Sequence, residues 1–226
     1  MNLLLFDIDG TLLLTGGAGL AAFRDALADA NLPLEGLETI RFDGMTDPAI
    51  VRELLAPRDR DRPEIVQAVL RSYLAHFQRR LPHARSFRVL PGVPEGLAAL
   101  SRRPDCRLGL ATGNLEAAAW LKLRHAGLDG FFDFGGFGSD AEDRAALVQR
   151  AIERGRERTR DARARAVVIG DTPRDIAAAR RAGALAVGVA SGRFSVGELS
   201  DAGAHRAIPD LRPPHDWLDE CLALPT

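Results

Sequence analysis

The stretch Phe6-Asp7-Ile8-Asp9-Gly10-Thr11-Leu12 begins at the last residue of an apolar run, residues 3–6. This run has the length and composition of a buried β-strand. Side chains two positions apart share a face of a strand, so Asp7 and Asp9 leave the strand end on the same side. Gly10 allows the chain to turn there, because glycine adopts positive φ at little cost. The stretch predicts two carboxylates held at the end of a buried strand. The alternative is an ordinary acidic turn in solvent.

Length and composition limit the class of protein. The chain has 226 residues, of which 46% are hydrophobic, enough for one sizeable core with or without a smaller lobe. A formal net charge of −1 favours neither nucleic acid nor acidic membranes. Cys106 and Cys221 form no CxxC motif, and there is neither a signal-peptide pattern nor an apolar run of membrane length. We expect a cytoplasmic monomer or homodimer without nucleic-acid or membrane partners.

Residues 16–85 carry hydrophobic positions at helical spacing and no strand pattern. Asp47-Pro48 and Pro63 predict helix starts, because a capping residue or a first-turn proline is typical there. We therefore expect an inserted helical lobe at 16–85, with the remainder of the fold formed by residues 1–15 and 86–226.

The rest of the chain alternates strand-like and helix-like patterns. Strands are expected at residues 107–111, 131–137, 166–169, 185–189 and 207–208. We expect Asn114 to cap one of the intervening helices and Ser139 or Asp140 to cap the next. The alternation predicts an α/β fold with a Rossmann-like parallel sheet that helices cover on both faces.

Polar residues follow several predicted strands, at the edge where open parallel sheets bind ligands. They are Asp7, Asp9, Thr112, Gly113, Arg144, Asp171 and Asp175. Converging carboxylates repel one another unless a cation neutralises them, and such hard oxygen ligands suit Mg²⁺. Thr112 and Gly113 offer a hydroxyl and backbone N–H groups to an anion. Acids, a metal, an anion site and a balancing cation are the components of phosphoryl transfer to a carboxylate nucleophile.

Three motifs carry a family resemblance. The stretch at residues 7–12, Thr112 after a strand, and Gly170-Asp171-Thr172-Pro173-Arg174-Asp175 resemble, in this order, motifs I, II and IV of the haloacid dehalogenase-like (HAD) hydrolases. The resemblance covers essentially the whole chain, since the helical segment between the first two motifs resembles a type C1 cap.

The resemblance implies a role for each matching residue. Asp7 is implied to be the nucleophile that forms an aspartyl-phosphate, and Asp9 the general acid that later becomes the base. Thr112 is implied to hold a phosphate oxygen. The implied Mg²⁺ ligands are Asp7, the Asp9 carbonyl and Asp171, with Asp175 binding through water or orienting its neighbours.

Asp9 distinguishes between two reactions of the family. HAD dehalogenases lack an acid at this position, because a halide leaves without a proton, whereas an alcohol leaving group requires one. The presence of Asp9 therefore favours a phosphatase over a dehalogenase.

The third motif departs from the family pattern, which places a lysine there. Lys122 is the only lysine and lies ten residues after Thr112, within a predicted helix, so we expect it on the helix surface. Arg144, 27 residues before Asp171, stands at a predicted helix start and can balance phosphate charge bidentately. We expect Arg144 to replace the lysine; the alternative is a solvated first-turn arginine.

Two other segments have weaker functional interpretations. Gly17-Ala18-Gly19-Leu20-Ala21-Ala22 formally fits a dinucleotide motif, but without a following βαβ unit these glycines fit a hinge better. The polar loop 41–47 and the segment 138–144 both resemble phosphoglycolate-phosphatase-like members of the family. For the loop, the alternative is a simple connection between two helices.

These patterns predict a Mg²⁺-dependent phosphatase for a small phosphorylated metabolite, with phosphoglycolate as the first compound to test. A sugar phosphomutase and a catalytically silent HAD-like binding protein are the alternatives.

Overall fold

A six-stranded parallel sheet forms the centre of this computed structural model, which describes residues 1–34, 37, 40–60 and 62–224. Its strands are β1 (Asn2–Phe6), β4 (Cys106–Thr112), β5 (Gly135–Phe137), β6 (Arg165–Gly170), β7 (Leu185–Val189) and β8 (Arg206–Ile208). They lie in the order β5-β4-β1-β6-β7-β8. The short strands β2 (Leu13–Leu14) and β3 (Arg88–Val89) pair antiparallel in a separate ribbon.

Nine α-helices lie within the described residues. They are α1 (Ala18–Asp29), α2 (Asp47–Leu54), α3 (Pro63–Arg80), α4 (Val93–Ser101), α5 (Glu116–Ala126), α6 (Arg144–Thr159), α7 (Pro173–Arg181), α8 (Val196–Asp201) and α9 (Asp216–Leu222). None of these described helices combines the length and the apolar character that crossing a bilayer would require.

The strand β1 is buried on both faces, which explains its uninterrupted apolar sequence. Leu4 and Phe6 pack into one hydrophobic cluster, and Leu3 and Leu5 pack into another on the opposite face. Because β1 pairs with β4 on one side and β6 on the other, the ends of all three strands meet at one edge. Asp7 therefore emerges at the middle of the sheet.

The segment between β2 and β3 contains α1, α2 and α3 and has its own hydrophobic cluster. Phe23 of α1 stacks on Tyr73 of α3 with 3.9 Å between ring centroids, and Tyr73 also stacks on Phe77. Ala118 of α5 joins this cluster from the sheet side of the molecule. As the sequence predicts, only helices, short 3₁₀ turns and loops occur among the described residues of 16–85. The domain boundaries at 15/16 and 85/86 remain a prediction.

The α/β fold class is confirmed, while several local predictions are wrong. The strand expected at 131–137 is limited to Gly135–Phe137, because a 3₁₀ turn occupies Asp129–Phe131. Asp143, not Ser139 or Asp140, caps α6 by accepting from the Ala146 amide.

Two further cap predictions also fail. Asn114 does not cap α5, whose N-cap is Leu115, because the Asn114 amide is held by Thr112 and Asp9. Thr46 caps α2, and Asp47 is the first helical residue. In both cases the polar side chain serves a tertiary contact instead of a local one.

Gly136 shows how tightly β5 packs against α6, the helix that begins with Arg144. A Cβ atom at Gly136 would lie 1.9 Å from the Leu147 carbonyl oxygen, so backbone would have to move. We expect Gly136→Ala to lower the free energy of unfolding by about 3 kcal/mol in urea titrations. Gly130→Ala is the matched control, because a Cβ there meets nothing within 4 Å, and it should change stability by less than about 1 kcal/mol. Equal effects of both substitutions would contradict this packing.

Candidate active site

Asp7 lies where β1 ends, and its amide donates to the Ile169 carbonyl of β6 at 2.9 Å. The residue is only 4% exposed. The chain then turns at Gly10, which has a φ of +84°. A Cβ at Gly10 would lie 2.3 Å from Asp171 Oδ2, so glycine is required both by the backbone angle and by the approach of this acid.

Asp7, Asp171 and Asp175 form a buried acidic cluster, in which one oxygen from each lies within 4.8 Å of the others. Burial raises the pKa of Asp7 and of Asp171, because the charged carboxylate loses its hydration. Arg144 partly opposes the rise at Asp7, while the other carboxylates add to it. At Asp171 the charges of Asp175 and Asp7 raise the pKa further. Such a cluster favours the binding of a cation.

The donor set of the cluster fits Mg²⁺, which prefers a few carboxylate oxygens together with water. Asp171 accepts one hydrogen bond from Thr11 through Oδ1 at 3.0 Å, and no described side chain donates to its Oδ2. Both carboxylate oxygens of Asp175 already accept hydrogen bonds. Its Oδ1 accepts from Arg144, and its Oδ2 accepts from the amide and hydroxyl of Thr172 in the capping box of α7. Asp7 and Asp171 are therefore the better placed ligands.

Arg144 is the first residue of α6 and is buried against the acidic cluster. Its Nη2 lies 3.0 Å from Asp7 Oδ2 and 2.5 Å from Asp175 Oδ1, while Nη1 donates to the Gly44 carbonyl at 3.0 Å. The alternative of a solvated first-turn arginine is wrong, because this side chain is only 9% exposed. The guanidinium thus stands beside the predicted nucleophile.

Thr112 and Gly113 end β4, beside the end of β1. Thr112 is fully buried, and its hydroxyl oxygen accepts hydrogen bonds from the backbone and side-chain nitrogens of Asn114, the latter at 2.8 Å. A Cβ at Gly113 would lie 2.3 Å from the Met45 carbonyl oxygen. Glycine is needed at position 113 because the backbone of the helical segment approaches it so closely.

Lys122 is buried, so the prediction that it lies on the helix surface is wrong. It is 4% exposed, and its ammonium group donates to Asp9 Oδ2 at 2.5 Å and to Asn114 Oδ1. It also lies 5.5 Å from the centroid of the Phe77 ring. Position 122 is on the face of α5 that packs toward Asp9 and α3. A lone lysine within an otherwise arginine-rich chain was the available signal.

Asp9 lies apart from the acidic cluster and is half-exposed, at 40% for its side chain. Asn114 and Lys122 both donate to its Oδ2, which leaves Oδ1 without a hydrogen-bond donor among the described residues. Asp7 and Asp9 therefore lie in different surroundings. Asp7 is buried beside Arg144, whereas Asp9 is held by a lysine and an amide.

Asp47 links the helical segment to the sheet, and sequence reasoning missed this role. Its amide donates to the Gly113 carbonyl at 2.7 Å, and its Oδ2 accepts from the Leu115 amide at 2.7 Å. Next to it, the Thr46 hydroxyl donates to the Glu142 carbonyl at 3.1 Å. These bonds hold the start of α2 against the strand ends.

A cavity of about 500 Å³ opens above the strand ends, between the sheet and the helical segment. Asp7, Asp9, Lys122, Arg144 and Asp171 line its sheet side, so the structure brings these predicted and missed residues to one space. Gly113 and Asn114 also line the cavity. A compact phosphorylated molecule would fit there.

Comparison with known proteins gives a consistent family match. The family model of the haloacid dehalogenase-like hydrolases matches residues 1–183. A probable phosphatase, IndB, from Dickeya dadantii is 34% identical over 205 residues, which cover 88% of this chain and 86% of that protein. A phosphoglycolate phosphatase from Rhodospirillum rubrum is 30% identical over 224 residues, covering 95% and 89%.

Solved structures agree with the fold. A hydrolase from Pseudomonas syringae superposes with a TM-score of 0.71 at 28% identity and covers 97% of this chain and 99% of that one. A predicted phosphatase from Clostridium acetobutylicum superposes with a TM-score of 0.72 at 21% identity, with 99% of each chain covered, which supports the fold alone.

The carboxyl of Asp47 makes stability depend on pH. Burial raises its pKa to about 6 from 3.8, although Lys122 and the Leu115 amide lower it in part. A carboxyl with a higher pKa in the folded state takes up a proton on folding, so its stabilising contribution is lost as pH rises from about 4 through 6. We expect Asp47→Asn to gain stability relative to the wild type over this range, by about 3 kcal/mol at full effect.

Urea unfolding of both proteins at pH 4, 5, 6 and 7 measures this difference. Comparing the two proteins at each pH cancels the titration of the acids that do not interact with Asp47. A difference that stays constant with pH would contradict the raised pKa of Asp47.

Proposed function

Because this chain belongs to the haloacid dehalogenase-like hydrolases, we propose that it is a Mg²⁺-dependent phosphatase that hydrolyses a small phosphorylated metabolite through an aspartyl-phosphate on Asp7. The observation that carries the proposal is the meeting of Asp7, Asp171 and Arg144 at one sheet edge, with Asp9 beside them in the same cavity. The expected enzyme class, a phosphoric monoester hydrolase, is confirmed by the family match and by relatives named phosphatases.

Asp7 performs the first step. One of its carboxylate oxygens attacks the phosphorus atom, and the bond from phosphorus to the ester oxygen breaks. Asp9 donates a proton to this oxygen, so that the leaving group departs as a neutral alcohol. Arg144, 3.0 Å from Asp7, balances the negative charge of the transferring group, since an arginine keeps its proton in such surroundings.

Asp9 also serves the second step. Once it has given up its proton, it accepts one from a water molecule that attacks the phosphorus of the aspartyl-phosphate. This releases inorganic phosphate and restores the Asp7 carboxylate. The free Oδ1 of Asp9 is the oxygen that moves the proton, because Lys122 and Asn114 hold Oδ2.

Asp7 and Asp171, with the Asp9 carbonyl, would hold Mg²⁺, and Asp175 would orient Arg144 and the start of α7. The metal would neutralise the clustered carboxylates and polarise the phosphoryl group. Thr112 and the Gly113 backbone would contact the phosphate from the β4 side.

The helical segment 16–85 would act as the cap that covers the substrate. It supplies the upper wall of the cavity and is held at the strand ends through Asp47. Because several relatives are named phosphoglycolate phosphatases, phosphoglycolate is the first compound to assay.

Replacing Asp7 tests the nucleophile. We expect Asp7→Asn to reduce phosphate release by about 10⁴-fold or more, because the amide cannot form the acyl-phosphate, while the melting temperature stays near that of the wild type. Asp201→Asn, an exposed acid on α8, is the matched control and should keep full activity. EDTA should abolish wild-type activity, and excess Mg²⁺ should restore it. Normal turnover by Asp7→Asn would refute the mechanism.

Replacing Lys122 tests whether it positions Asp9. Lys122→Met removes the charge and keeps the length, so we expect kcat to fall about tenfold or more with little change in KM, because Asp9 is no longer held in position. Arg124→Met, an exposed change on the same helix, should leave both unchanged. A loss of stability without any change in kcat would indicate a purely structural lysine.

A further inference from the structure

The two walls of the cavity differ in the charged groups that they carry. On the sheet side the basic groups Lys122 and Arg144 lie among three acids, Asp7, Asp9 and Asp171. The described lining residues of the helical segment include Asp43 and Asp47, both acidic, but no base. The remaining side chains of that wall are apolar or aromatic: Leu20, Phe23, Phe42, Met45, Ile50 and Tyr73. A bound ester would therefore place its phosphate and its leaving group in opposite surroundings.

The basic side chains that line the cavity are nearly all paired. Arg144 is bound by Asp7 and Asp175, and Lys122 is bound by Asp9 and Asn114. Arg193 Nη1 lies 3.7 Å from Asp43 Oδ2 at the mouth of the cavity. These partners leave little positive charge for a second anionic group of the substrate.

Arg88 is the exception among the described lining residues, since it has no ion pair with them. It lies on β3, outside the helical segment, and its side chain is exposed to solvent. A charge in such a position is screened by water and salt and contributes little to binding. Arg88 is therefore a weak anchor for a carboxylate.

The deepest side chains of the apolar wall are closely packed. Phe23 and Tyr73 are stacked and almost fully buried, and Ile50 is 6% exposed. Leu20 lies nearer to the mouth and is 42% exposed, which is unusual for a leucine that lines a cavity beside charged groups. An apolar leaving group would cover Leu20 and the half-buried Phe42 and Met45, and it would gain free energy from their removal from water.

We propose that the preferred substrates are phosphomonoesters whose leaving group is uncharged and presents an apolar face to this wall, and that a leaving group with its own carboxylate or phosphate is disfavoured. This inference rests on the proposed phosphatase function and narrows it. Phosphoglycolate, whose leaving group carries a carboxylate, is then a poor substrate.

A matched substrate series tests the proposal with the Mg²⁺-loaded wild-type enzyme. Phosphoglycolate and its carboxamide, phosphoglycolamide, are similar in size and differ in charge. We expect the carboxamide to have a kcat/KM at least about tenfold higher, because like charges are costly in a partly desolvated site. Across ethyl, butyl and hexyl phosphate, kcat/KM should rise by about three- to fourfold for each methylene that reaches the apolar wall.

Charge placed on the apolar wall provides the complementary test. Leu20→Lys adds a cation beside the leaving group, and Leu20→Gln is the matched neutral variant. We expect the ratio of kcat/KM for phosphoglycolate over phosphoglycolamide to be about tenfold higher in Leu20→Lys than in Leu20→Gln. Arg88→Gln should change the wild-type ratio by less than about twofold, as an exposed charge does.

The outcomes separate this inference from the phosphatase proposal. If phosphoglycolate is the best substrate, or if Arg88→Gln selectively abolishes its turnover, the preference for an uncharged leaving group is overturned and the phosphatase function stands. If no ester in the series releases phosphate, the phosphatase proposal fails, and this inference fails with it.

Discussion

The burial of three carboxylates at one strand edge is the constraint on which the site depends. Asp7, Asp171 and Asp175 lie within 4.8 Å of one another, and burial already raises the pKa of the first two. Only Arg144 among the described side chains pairs with this cluster as a cation. Such an arrangement is costly for folding alone, because unpaired buried charge destabilises a protein. A divalent cation bound to these carboxylates would offset this cost.

The sheet and the helical segment form different walls of the cavity. The central strands place acids and amides at one edge, and Asp47 fixes the start of α2 over that edge through Gly113 and Leu115. The helical segment then supplies an apolar and acidic wall. In the proposed mechanism, the chemistry at phosphorus would depend on the sheet, and the choice of leaving group would depend on the helical segment.

Periodicity and motif spacing predicted the sheet, the helical segment and the acids, because these follow from local pattern and strand order. The environment of Lys122 was not predictable in the same way. A mid-helix lysine is usually solvated, and its burial here depends on the packing of α5 between Asp9 and Phe77. Asn114 and Asp140 failed as caps for a similar reason, since tertiary partners, Asp9 and Arg154, engage them. The link through Asp47 also requires contacts between distant parts of the chain.

Trapping the aspartyl-phosphate on Asp7 would test the proposed mechanism without depending on the identity of the natural substrate. The Mg²⁺-loaded enzyme would be mixed with an ester carrying radiolabelled phosphate, quenched in acid during turnover and digested for peptide mapping. We expect label on the peptide that contains Asp7, its release by hydroxylamine, and its absence from Asp7→Asn. Steady turnover with no label on the protein, or with label on another residue, would contradict it.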